Sequence, residues 1–515
     1  MEARPDADLC LHDIVEEQAR SRPHDCAVVE QGARLDYREA NERVARLTTL
    51  LIEHGVTSGD RLAWVGQNSF RVLELVLAAG RLGAMVCPVN WRQTPGELEF
   101  VLRDLDPAVV VAETGELARS VEGTRSALPR TTWFVVDDSP EGYEAVLARS
   151  APDRAARRGD PRAPVLIMYT AAHEGRPNGA MMTHQGLIAA GVVHAVMNGI
   201  FDERPVFLGA LPLYHIATFM GSLSTLLLGG TNVYLARPSA DEICGLLESE
   251  RCTWAYLTGP LIGRVAEVAE ESGADLSAFR VPEAYVNADA RWARFGKRST
   301  APWSRHPGSY GQTEMTGIVT YTSLAVGAAG AAGRPSPWCL VRIVDADDNE
   351  VRAGETGEIT ARGVTVGAGY WNRAELNEKR GRNGWWHTGD LGRREADGSL
   401  SFVGPMTRMI KSGKENIYPV EVERCLRAHP LIVDVAVIGV PDEQWEQAVK
   451  AIVVPAAGAH LSAEEVIAHC REHIASYKKP SYVTFVDDLP RREGRVDRDE
   501  LDRLHGGGGY PGVGA

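Results

Sequence analysis

The chain has 515 residues, 44% hydrophobic and 24% charged, and a formal net charge of −14, so it can form two or more domains with sizeable cores. The negative charge disfavours non-specific nucleic-acid binding, because binding a phosphate backbone requires a basic face. The acidic, polar start and the lack of a long apolar run predict a cytosolic protein without a signal peptide or a membrane span.

The basic residues and the cysteines add two further indications. Only seven of the 55 basic residues are Lys, which indicates a GC-rich bacterial genome in which Lys to Arg changes can arise by drift. The eight cysteines form no C-x-x-C pair. Neither a zinc ribbon nor a disulfide framework is therefore predicted.

Apolar runs rich in Val, Ile and Leu alternate with amphipathic stretches, such as 37–54 and 71–82, through the first 170 residues. This alternation predicts an α/β fold, with a large N-terminal domain of sheets covered by helices. The predicted strands are CAVVE (26–30), LAWVG (62–66), AMVCPV (84–89), AVVVAE (108–113), WFVVD (133–137) and VLIMY (165–169).

A second, smaller domain is predicted after a boundary near 405–408. We place the large domain at 1–406, with a charged, Pro-bearing surface linker at 152–162, and the small domain at 407–515. The small domain has helical and strand patterns typical of a compact α+β unit. The Gly-rich segment 506–515 has too little apolar content to order itself and is predicted to be a disordered tail.

The chain carries five motifs, which are in chain order LPLYH (211–215), SYGQTE (309–314), GEITARG (357–363), GWWHTGDLG (384–392) and KSGKENIYPVEVE (411–423). Their order and spacing resemble those of the acyl-adenylate-forming superfamily, which contains acyl-CoA synthetases, luciferases and peptide-synthetase adenylation domains. The resemblance covers nearly the whole chain. It implies a reaction in two halves: a carboxylate attacks the α-phosphate of ATP, and then the small domain rotates and a thiol, usually CoA, displaces AMP from the acyl-adenylate.

The resemblance assigns the nucleotide-binding residues. Tyr310 is expected against adenine, with Gly311 and Ala288 in the same nucleotide pocket. Thr313 is expected to bond the α-phosphate or the adenylate. These types suit their roles, because a flat ring stacks on a purine and a hydroxyl donates to phosphate. His215 would be a gate beside the acyl pocket, with either a catalytic or a purely structural role.

Two carboxylates complete the predicted nucleotide site. Glu314 would be catalytic and face a magnesium ion, a hard cation that prefers oxygen ligands. Asp390 follows a Gly and is expected in a tight turn, where its carboxylate accepts both ribose hydroxyls.

The hinge and tunnel segments are recognisable but altered. The family usually has Gly-Arg-x-Asp-Asp at the hinge, where this chain has Gly-Pro-Met-Thr-Arg (404–408). A ribose contact is therefore lost, but Thr407 can still serve as the pivot, because hinges depend on backbone freedom. Gly413, Lys414 and Glu415 correspond to the loop that lines the CoA pantetheine tunnel after rotation.

The phosphate loop departs most from the family pattern, Tyr-Thr-Ser-Gly-Thr-Thr-Gly-x-Pro-Lys-Gly. The loop hydroxyls and the Lys that would hold triphosphate are missing, and Glu174 adds a negative charge. Two unit charges about 4 Å apart interact by about 4 kcal/mol at a dielectric near 20, so affinity for ATP should fall, unless the loop simply tolerates the changes. The residues present are Thr170, Ala171, Ala172, His173, Glu174, Gly175 and Asn178.

The C-terminal catalytic position also differs. In the family a Lys enters the site during adenylation and bridges the carboxylate and the phosphate. Here Arg495 stands in its place. Arg keeps the charge but is larger and planar, so it is a poor substitute in a close-fitting site, unless it reflects drift alone.

These observations differ between the two half-reactions. Groups for adenine, ribose and α-phosphate are present, whereas those for triphosphate and the first step are damaged. The leading hypothesis is an acyl-CoA ligase homologue of specialised biosynthesis that mainly converts an acyl-adenylate and CoA into acyl-CoA and AMP, with a separate adenylating ligase as partner. ATP and Mg²⁺ would be used only if adenylation survives.

Two alternatives remain. One is a complete ATP-dependent acyl-CoA synthetase, and the other is an inactive homologue that binds an acid or an adenylate. The sequence leaves open the identity of the carboxylic acid, a carrier-protein thiol instead of CoA, and a homodimer. Small residues hint at a roomy acyl cavity: Ala217, Gly221, Gly259, Ala288 and Gly317.

Overall fold

The computed structural model describes residues 9–155, 157, 159–170, 176–201, 204–413, 415–492, 495–508 and 510. The first 405 residues carry two sheets covered by helices and a third, antiparallel sheet. Their α-helices are Leu11–Ser21, Tyr37–Glu53, Arg71–Leu82, Pro95–Leu105, Ala118–Ala127, Tyr143–Arg149, His184–Met197, Ile216–Leu227, Ala240–Ser249, Pro260–Ser272, Glu283–Ala288, Pro302–Arg305 and Ala374–Arg380.

The first sheet has six strands. Its first five are parallel, and the last pairs antiparallel with its neighbour. Five of the six predicted runs lie in it, which confirms the predicted helix-covered α/β class. In spatial order the strands are Thr132–Val136, Val109–Glu113, Arg61–Val65, Met85–Pro88, Pro164–Thr170 and Asn178–Thr183.

The second sheet contains the remaining predicted run, Cys26–Glu30. The order of its strands is Trp254–Ala255, Val206–Gly209, Thr231–Tyr234, Cys26–Glu30 and Ala33–Asp36, and only the last pair is antiparallel. One connection to the first sheet is the helix Tyr37–Glu53, which begins at a capping box: Asp36 accepts from the Glu39 amide at 2.7 Å, and Glu39 accepts from the Asp36 amide at 3.0 Å.

The antiparallel sheet and a smaller neighbour follow. The four strands of the sheet are Cys339–Val344, Thr356–Gly363, Trp386–Arg394 and Leu400–Pro405. The neighbour consists of Ser309–Gln312, Gly317–Tyr321 and Arg334–Pro335, and a two-stranded pair joins Arg280–Val281 to Lys297–Arg298. Met315, Val319, Ile343, Ile359 and Tyr370 share one buried cluster that holds these sheets together.

The last hundred residues form a compact α+β unit, as the sequence predicts. Its helices are Pro419–Arg427, Ala463–His473 and Arg498–His505, and its sheet strands are Ile410–Ser412, Glu415–Ile417, Ile432–Asp442, Glu446–Pro455 and Tyr482–Phe485. A hairpin of Arg491–Arg492 and Arg495–Val496 completes it.

The prediction of a disordered tail from residue 506 is wrong for the described part. Tyr510 is buried in the small-domain core, its hydroxyl donates to Asp502 at 2.9 Å, and it accepts from the Gly439 amide at 2.9 Å. Gln447 also donates to the carbonyl of Gly508 at 2.7 Å. One buried aromatic ring and these backbone bonds fix a segment whose composition alone is too poor to order it.

Between Met406 and Arg408 the contacts of the chain change from the large domain to the small domain. The Met406 amide donates to the carbonyl of Gly389 in the antiparallel sheet at 2.8 Å. The Arg408 guanidinium instead pairs with Asp502 at 2.5 Å, on the last helix of the small domain. Thr407 is therefore the residue between the two sets of contacts.

Across the described residues, none of the helices combines the length and the apolar character needed to cross a bilayer.

Candidate functional site

Asp390 lies at the centre of a buried hydrogen-bond network. Its Oδ2 accepts from the Tyr310 hydroxyl at 2.8 Å and from Gln312 Nε2 at 2.6 Å. Gln312 also donates to the carbonyl of Thr388 at 3.2 Å. The Tyr310 ring stacks on Phe402, with centroids 5.6 Å apart and planes at 24°. The structure thus brings together the two residues that the sequence assigns to adenine and ribose.

The surroundings of Asp390 differ from the expected tight turn. The residue lies inside the strand Trp386–Arg394, and that part of the prediction is wrong. Gly389, at φ +75°, produces the local irregularity in this strand. A Cβ at this position would lie 2.5 Å from Nη1 of Arg380, and the positive φ favours Gly.

Burial dominates the protonation of Asp390. It raises the pKa of this carboxyl to about 6, although the hydrogen bonds from Tyr310 and Gln312 lower it. A carboxylate held in this way is charged at neutral pH and can accept from the hydroxyls of a ribose. The group fits the predicted role, and it should titrate in a physiological range.

Glu314 is buried beside this network. Its Oε1 accepts from the Tyr370 hydroxyl at 2.7 Å, and its carbonyl accepts from the Gly367 amide at 2.9 Å. Tyr418, at the start of the small domain, lies close enough that Glu314 and Asp390 both help to raise the pKa of its hydroxyl, after burial. The predicted metal residue and ribose residue are therefore close neighbours.

These residues fit a magnesium ion that is held mainly by the phosphates of the substrate. Within the described residues there is no cluster of three or more His, Cys, Asp or Glu side chains able to hold a metal. Mg²⁺ sites of kinases and ATPases commonly use one or two carboxylates together with phosphate oxygens and water. Glu314 would supply such a carboxylate and neutralise part of the phosphate charge through the ion.

The remaining predicted nucleotide residues lie on three different elements. Thr313 begins the short 3₁₀-helix Thr313–Met315 and is half-buried, and Gly311 lies in the adjoining strand, opposite Ile318. Ala288 is exposed at the end of the helix Glu283–Ala288.

Sequence reasoning missed two groups that position Asp390. Glu358, within the quoted motif 357–363, accepts from the Gly389 amide at 2.9 Å and contacts His387 Nδ1 at 2.8 Å. Gln312 alternates with Tyr310 along one strand, so both side chains face Asp390. This alternation is readable from SYGQTE and would have identified Gln312. No comparable spacing points to Tyr370.

Around the phosphate loop, Ala171, Ala172, His173, Glu174 and Gly175 lie outside the described residues. The strands on either side meet at Thr170, whose hydroxyl donates to the carbonyl of Asn178 at 3.4 Å. Arg176 places its guanidinium over the ring of Phe100, 5.3 Å from the centroid.

Asn178 stands where the family usually has Lys, and its side chain is buried and hydrogen-bonded. Its Oδ1 accepts from Arg373 Nε at 2.9 Å, and Arg373 Nη1 pairs with Asp104 at 2.8 Å. Asp104 also accepts from the Tyr169 hydroxyl at 2.8 Å. The cation beside the family's Lys position is thus the guanidinium of Arg373, which is already paired with the Asp104 carboxylate.

His215 lies at the end of LPLYH and caps the helix Ile216–Leu227. Its Nε2 is 3.5 Å from Oε1 of Glu415, in the small domain, and its ring lies 4.7 Å from that of Tyr214. Arg92 forms an ion pair with the same carboxylate oxygen. Burial alone would raise the pKa of Glu415, but the hydrogen bond and charge of His215 and the charge of Arg92 lower it below its usual value.

The predicted tunnel loop therefore lies at the predicted gate. Gly413, at φ +61°, donates its amide to the carbonyl of Trp445 at 2.8 Å, and a Cβ there would lie 3.2 Å from the Trp445 ring. Lys414 lies outside the described residues. Arg495 begins the second strand of the terminal hairpin, next to Val496 of the small-domain core, and its side chain is outside the described part.

The small residues thought to border a cavity have different surroundings. Gly317 faces Ile216 and Met220, at 3.6 and 3.8 Å from a Cβ built on it. Gly221 instead packs against the ring of Phe207, at 2.7 Å, so it is a close-packed core position. Ala217 is exposed, and a Cβ on Gly259 would meet no described atom within 4 Å.

Comparison with known proteins decides the family. Residues 15–371 match the model of the AMP-binding enzyme, and residues 421–494 match that of the AMP-binding enzyme C-terminal domain. The chain belongs to the AMP-binding enzyme family. The match confirms the resemblance to the acyl-adenylate-forming superfamily, and the two matched segments fall on either side of Thr407.

Named relatives of this AMP-binding enzyme are acyl-CoA ligases. The indoleacetate–CoA ligase of Aromatoleum aromaticum is 34% identical over 96% of this chain and 98% of its own length. A feruloyl-CoA synthase of an Amycolatopsis species is 36% identical over 95% of this chain and 98% of its own. The chain is thus a member of the acyl-CoA ligase group.

A solved structure confirms the fold. The amide bond synthetase McbA of Marinactinospora thermotolerans superposes with a TM-score of 0.82 over 96% of this chain and 100% of its own, at 24% identity. This likeness supports a large N-terminal domain with a smaller C-terminal one.

Proposed function

We propose that this enzyme forms acyl-CoA thioesters mainly from acyl-adenylates, and that its own adenylation of acids is impaired. One observation carries the proposal: Glu415 of the tunnel loop lies against His215 of the predicted gate, at 3.5 Å, and pairs with Arg92. We interpret this arrangement as the orientation for the second half-reaction, in which the tunnel loop would serve the thiol.

The chemistry assigned to this arrangement is a single acyl transfer. The sulfur of CoA bonds to the acyl carbon, the bond from that carbon to the phosphate oxygen breaks, and AMP leaves with the electron pair. In this proposal His215 would accept the thiol proton, and the Glu415 carboxylate would stabilise the imidazolium that forms. Asp390 and Glu314 would hold the nucleotide half of the adenylate.

The groups that favour the first half-reaction are weaker. The position of the family's loop Lys is Asn178, and the nearby Arg373 is paired with Asp104. The catalytic Lys position is Arg495, and Glu174 adds a like charge where triphosphate would bind. A separate adenylating ligase would then supply the adenylate.

We further propose that the acid is aromatic. Two relatives at 34% and 36% identity are named for indoleacetate and for feruloyl-CoA, and both align over nearly the whole chain. Gly317, beside Ile216 and Met220, leaves room on an apolar wall where a flat ring could lie.

A second candidate is a complete ligase that uses acid, ATP, Mg²⁺ and CoA. The near-full-length identity to proteins named as CoA ligases and synthases favours it, together with the retained Asp390 and Glu314. It differs from the leading proposal only in the first half-reaction.

Two assays on the unmodified protein separate the candidates. The first is ATP–pyrophosphate exchange with Mg²⁺ over a panel of indole, phenylpropanoid and aliphatic acids. The second is thioester formation from synthetic adenylates of the same acids with CoA. The leading proposal expects thioester from aromatic adenylates and little exchange. Robust exchange would establish the complete ligase, and inactivity in both assays would favour an inert binder.

A further inference from the structure

A short segment of the large domain makes several contacts with the small domain. It runs from Arg92 to Glu97, into the start of the helix Pro95–Leu105, and we call it the docking segment. The Arg92 guanidinium lies over the ring of Tyr477, 5.0 Å from its centroid, and the Thr94 hydroxyl donates to the carbonyl of His473 at 3.4 Å. Glu97 pairs with Lys478 at 2.7 Å.

Lys478 is buried in this interface. Only 9% of its side chain is exposed, and its Nζ donates at 2.7 Å both to Glu97 of the large domain and to Glu421 of the small domain. Burial alone would lower the pKa of Lys478, but the charges of Glu421 and Glu97 raise it above its usual value. The ammonium therefore stays charged between the two carboxylates.

The arrangement leaves each charge with a partner when the domains separate. Glu97 divides its two oxygens: Oε1 accepts from Lys478, while Oε2 accepts from the Thr94 amide at 3.0 Å and its hydroxyl at 3.1 Å, within the capping box of its own helix. Lys478 retains Glu421 within the small domain. An uncompensated buried charge is the main cost of breaking an ion pair, and here that cost is avoided.

We propose that Glu97 and Lys478 form a reversible latch that holds the small domain in the orientation for thioester formation, with Glu97 as its positioning residue. The latch acts through orientation alone, since both groups bond to each other and not to the gate residue His215. It rests on the proposed function in that thioester formation is the step it favours. Release of the latch frees the small domain to rotate about Thr407.

Matched variants test the latch. Glu97→Gln removes the charge but keeps an oxygen to accept from Thr94. Its control is Glu99→Gln, which alters a carboxylate of the same helix that pairs with Arg103 and is 40% exposed. Lys478→Met removes the ammonium but keeps a straight chain, and its control is Lys479→Met, whose exposed Nζ bonds only to the carbonyl of Ser476 among the contacts described.

Hydrogen–deuterium exchange gives a readout that does not depend on activity. Exchange in segments 92–105 and 473–479 should rise together in Glu97→Gln and in Lys478→Met, and stay unchanged in both controls. Unfolding midpoints are measured alongside. If Lys478→Met fails to fold, because Glu421 loses its partner, the comparison of Glu97→Gln with Glu99→Gln still decides the question.

Thioester formation from a supplied aromatic acyl-adenylate and CoA gives the functional readout. Both latch variants should be slower by about tenfold, within the roughly 5- to 150-fold span of coupled sites. The double variant should be no slower than Lys478→Met alone, because both substitutions remove one interaction. Unchanged exchange in Glu97→Gln would overturn the latch. A wild type without thioester activity would instead overturn the proposed function, and the exchange data would still decide the latch.

Discussion

The two ends of the nucleotide site differ in how they are held. At the nucleoside end, Asp390, Tyr310 and Gln312 form one buried network, and Glu358 fixes the strand behind it through the Gly389 amide. At the phosphate end, Arg373, which lies beside Asn178, is bonded to the protein itself, since it pairs with Asp104 and donates to Asn178. A network of mutual bonds resists substitution, whereas a loop that binds a ligand through its own side chains can lose that ligand without unfolding the protein.

Repair of the phosphate end is the strongest test of this contrast. Replacing Glu174 removes a negative charge, which at about 4 Å from a phosphate would cost about 4 kcal/mol, and Arg495→Lys returns a compact ammonium. We expect pyrophosphate exchange to rise by up to about 1,000-fold in the combined variant, and more than in either repair alone. The loop repair consists of Ala171→Ser, Ala172→Gly, His173→Thr, Glu174→Thr and Asn178→Lys.

The structure adds one requirement to this repair. A Lys at position 178 would face the guanidinium of Arg373, and the two cations would compete for Asp104. The repair should therefore work better with Arg373→Ala than without it. Thioester formation from supplied adenylate is the control and should change little. Folded, thioester-forming variants that still make no adenylate would show that other residues disable the first step.

At the nucleoside end, loss of a single carboxylate should have the next largest effect. Asp390→Ala should weaken binding of a synthetic acyl-adenylate by about 1.5–3 kcal/mol, as for a charged hydrogen bond. Isothermal titration measures it, with Asp347→Ala, an exposed carboxylate away from the network, as the control. An affinity equal to that of the wild type would remove Asp390 from the ribose site.

Features set by local sequence patterns can be predicted from the sequence, whereas features set by distant contacts cannot. The strands Arg61–Val65 and Val109–Glu113 are apolar runs buried on both faces, and their pattern alone locates them. Asp390 is found by its motif, but its strand setting is not, because the irregularity at Gly389 depends on Glu358 and Arg380 from elsewhere in the chain. The bonds of Gly508 and Tyr510 to Gln447, Gly439 and Asp502 are invisible to composition.

Contacts between the domains could not be predicted either. Arg92 and Glu415 are separated by more than 300 residues, and no spacing links them. The sequence assigns Glu415 to the tunnel loop but gives Arg92 no role. Only the docked structure shows that they meet beside His215.

Glu415→Gln tests this meeting point and should have a smaller effect than Asp390→Ala. The amide keeps the shape but loses the charge that stabilises a protonated His215 and pairs with Arg92. We expect thioester formation from supplied adenylate to slow by about tenfold, a part of the usual effect of proton transfer. Glu443→Gln, an exposed carboxylate of the same domain, is the control. A normal rate would show that the Glu415 charge does not assist thioester formation.

The smallest expected effect concerns pH. Asp390, with a pKa of about 6, must be ionised to accept from ribose hydroxyls, so adenylate affinity should fall as pH drops through about 6. The Tyr310 hydrogen bond lowers that pKa, so Tyr310→Phe should move the midpoint upward while the ring still packs on Phe402. At pH 8, where Asp390 is ionised in both proteins, the variant should bind adenylate with an affinity closer to that of the wild type than Asp390→Ala does. Asp390→Asn, which cannot titrate there, should lack the midpoint altogether. A midpoint that stays in Asp390→Asn, or moves downward in Tyr310→Phe, would mean that another group governs nucleotide binding and that the buried network does not set the charge of this end of the site.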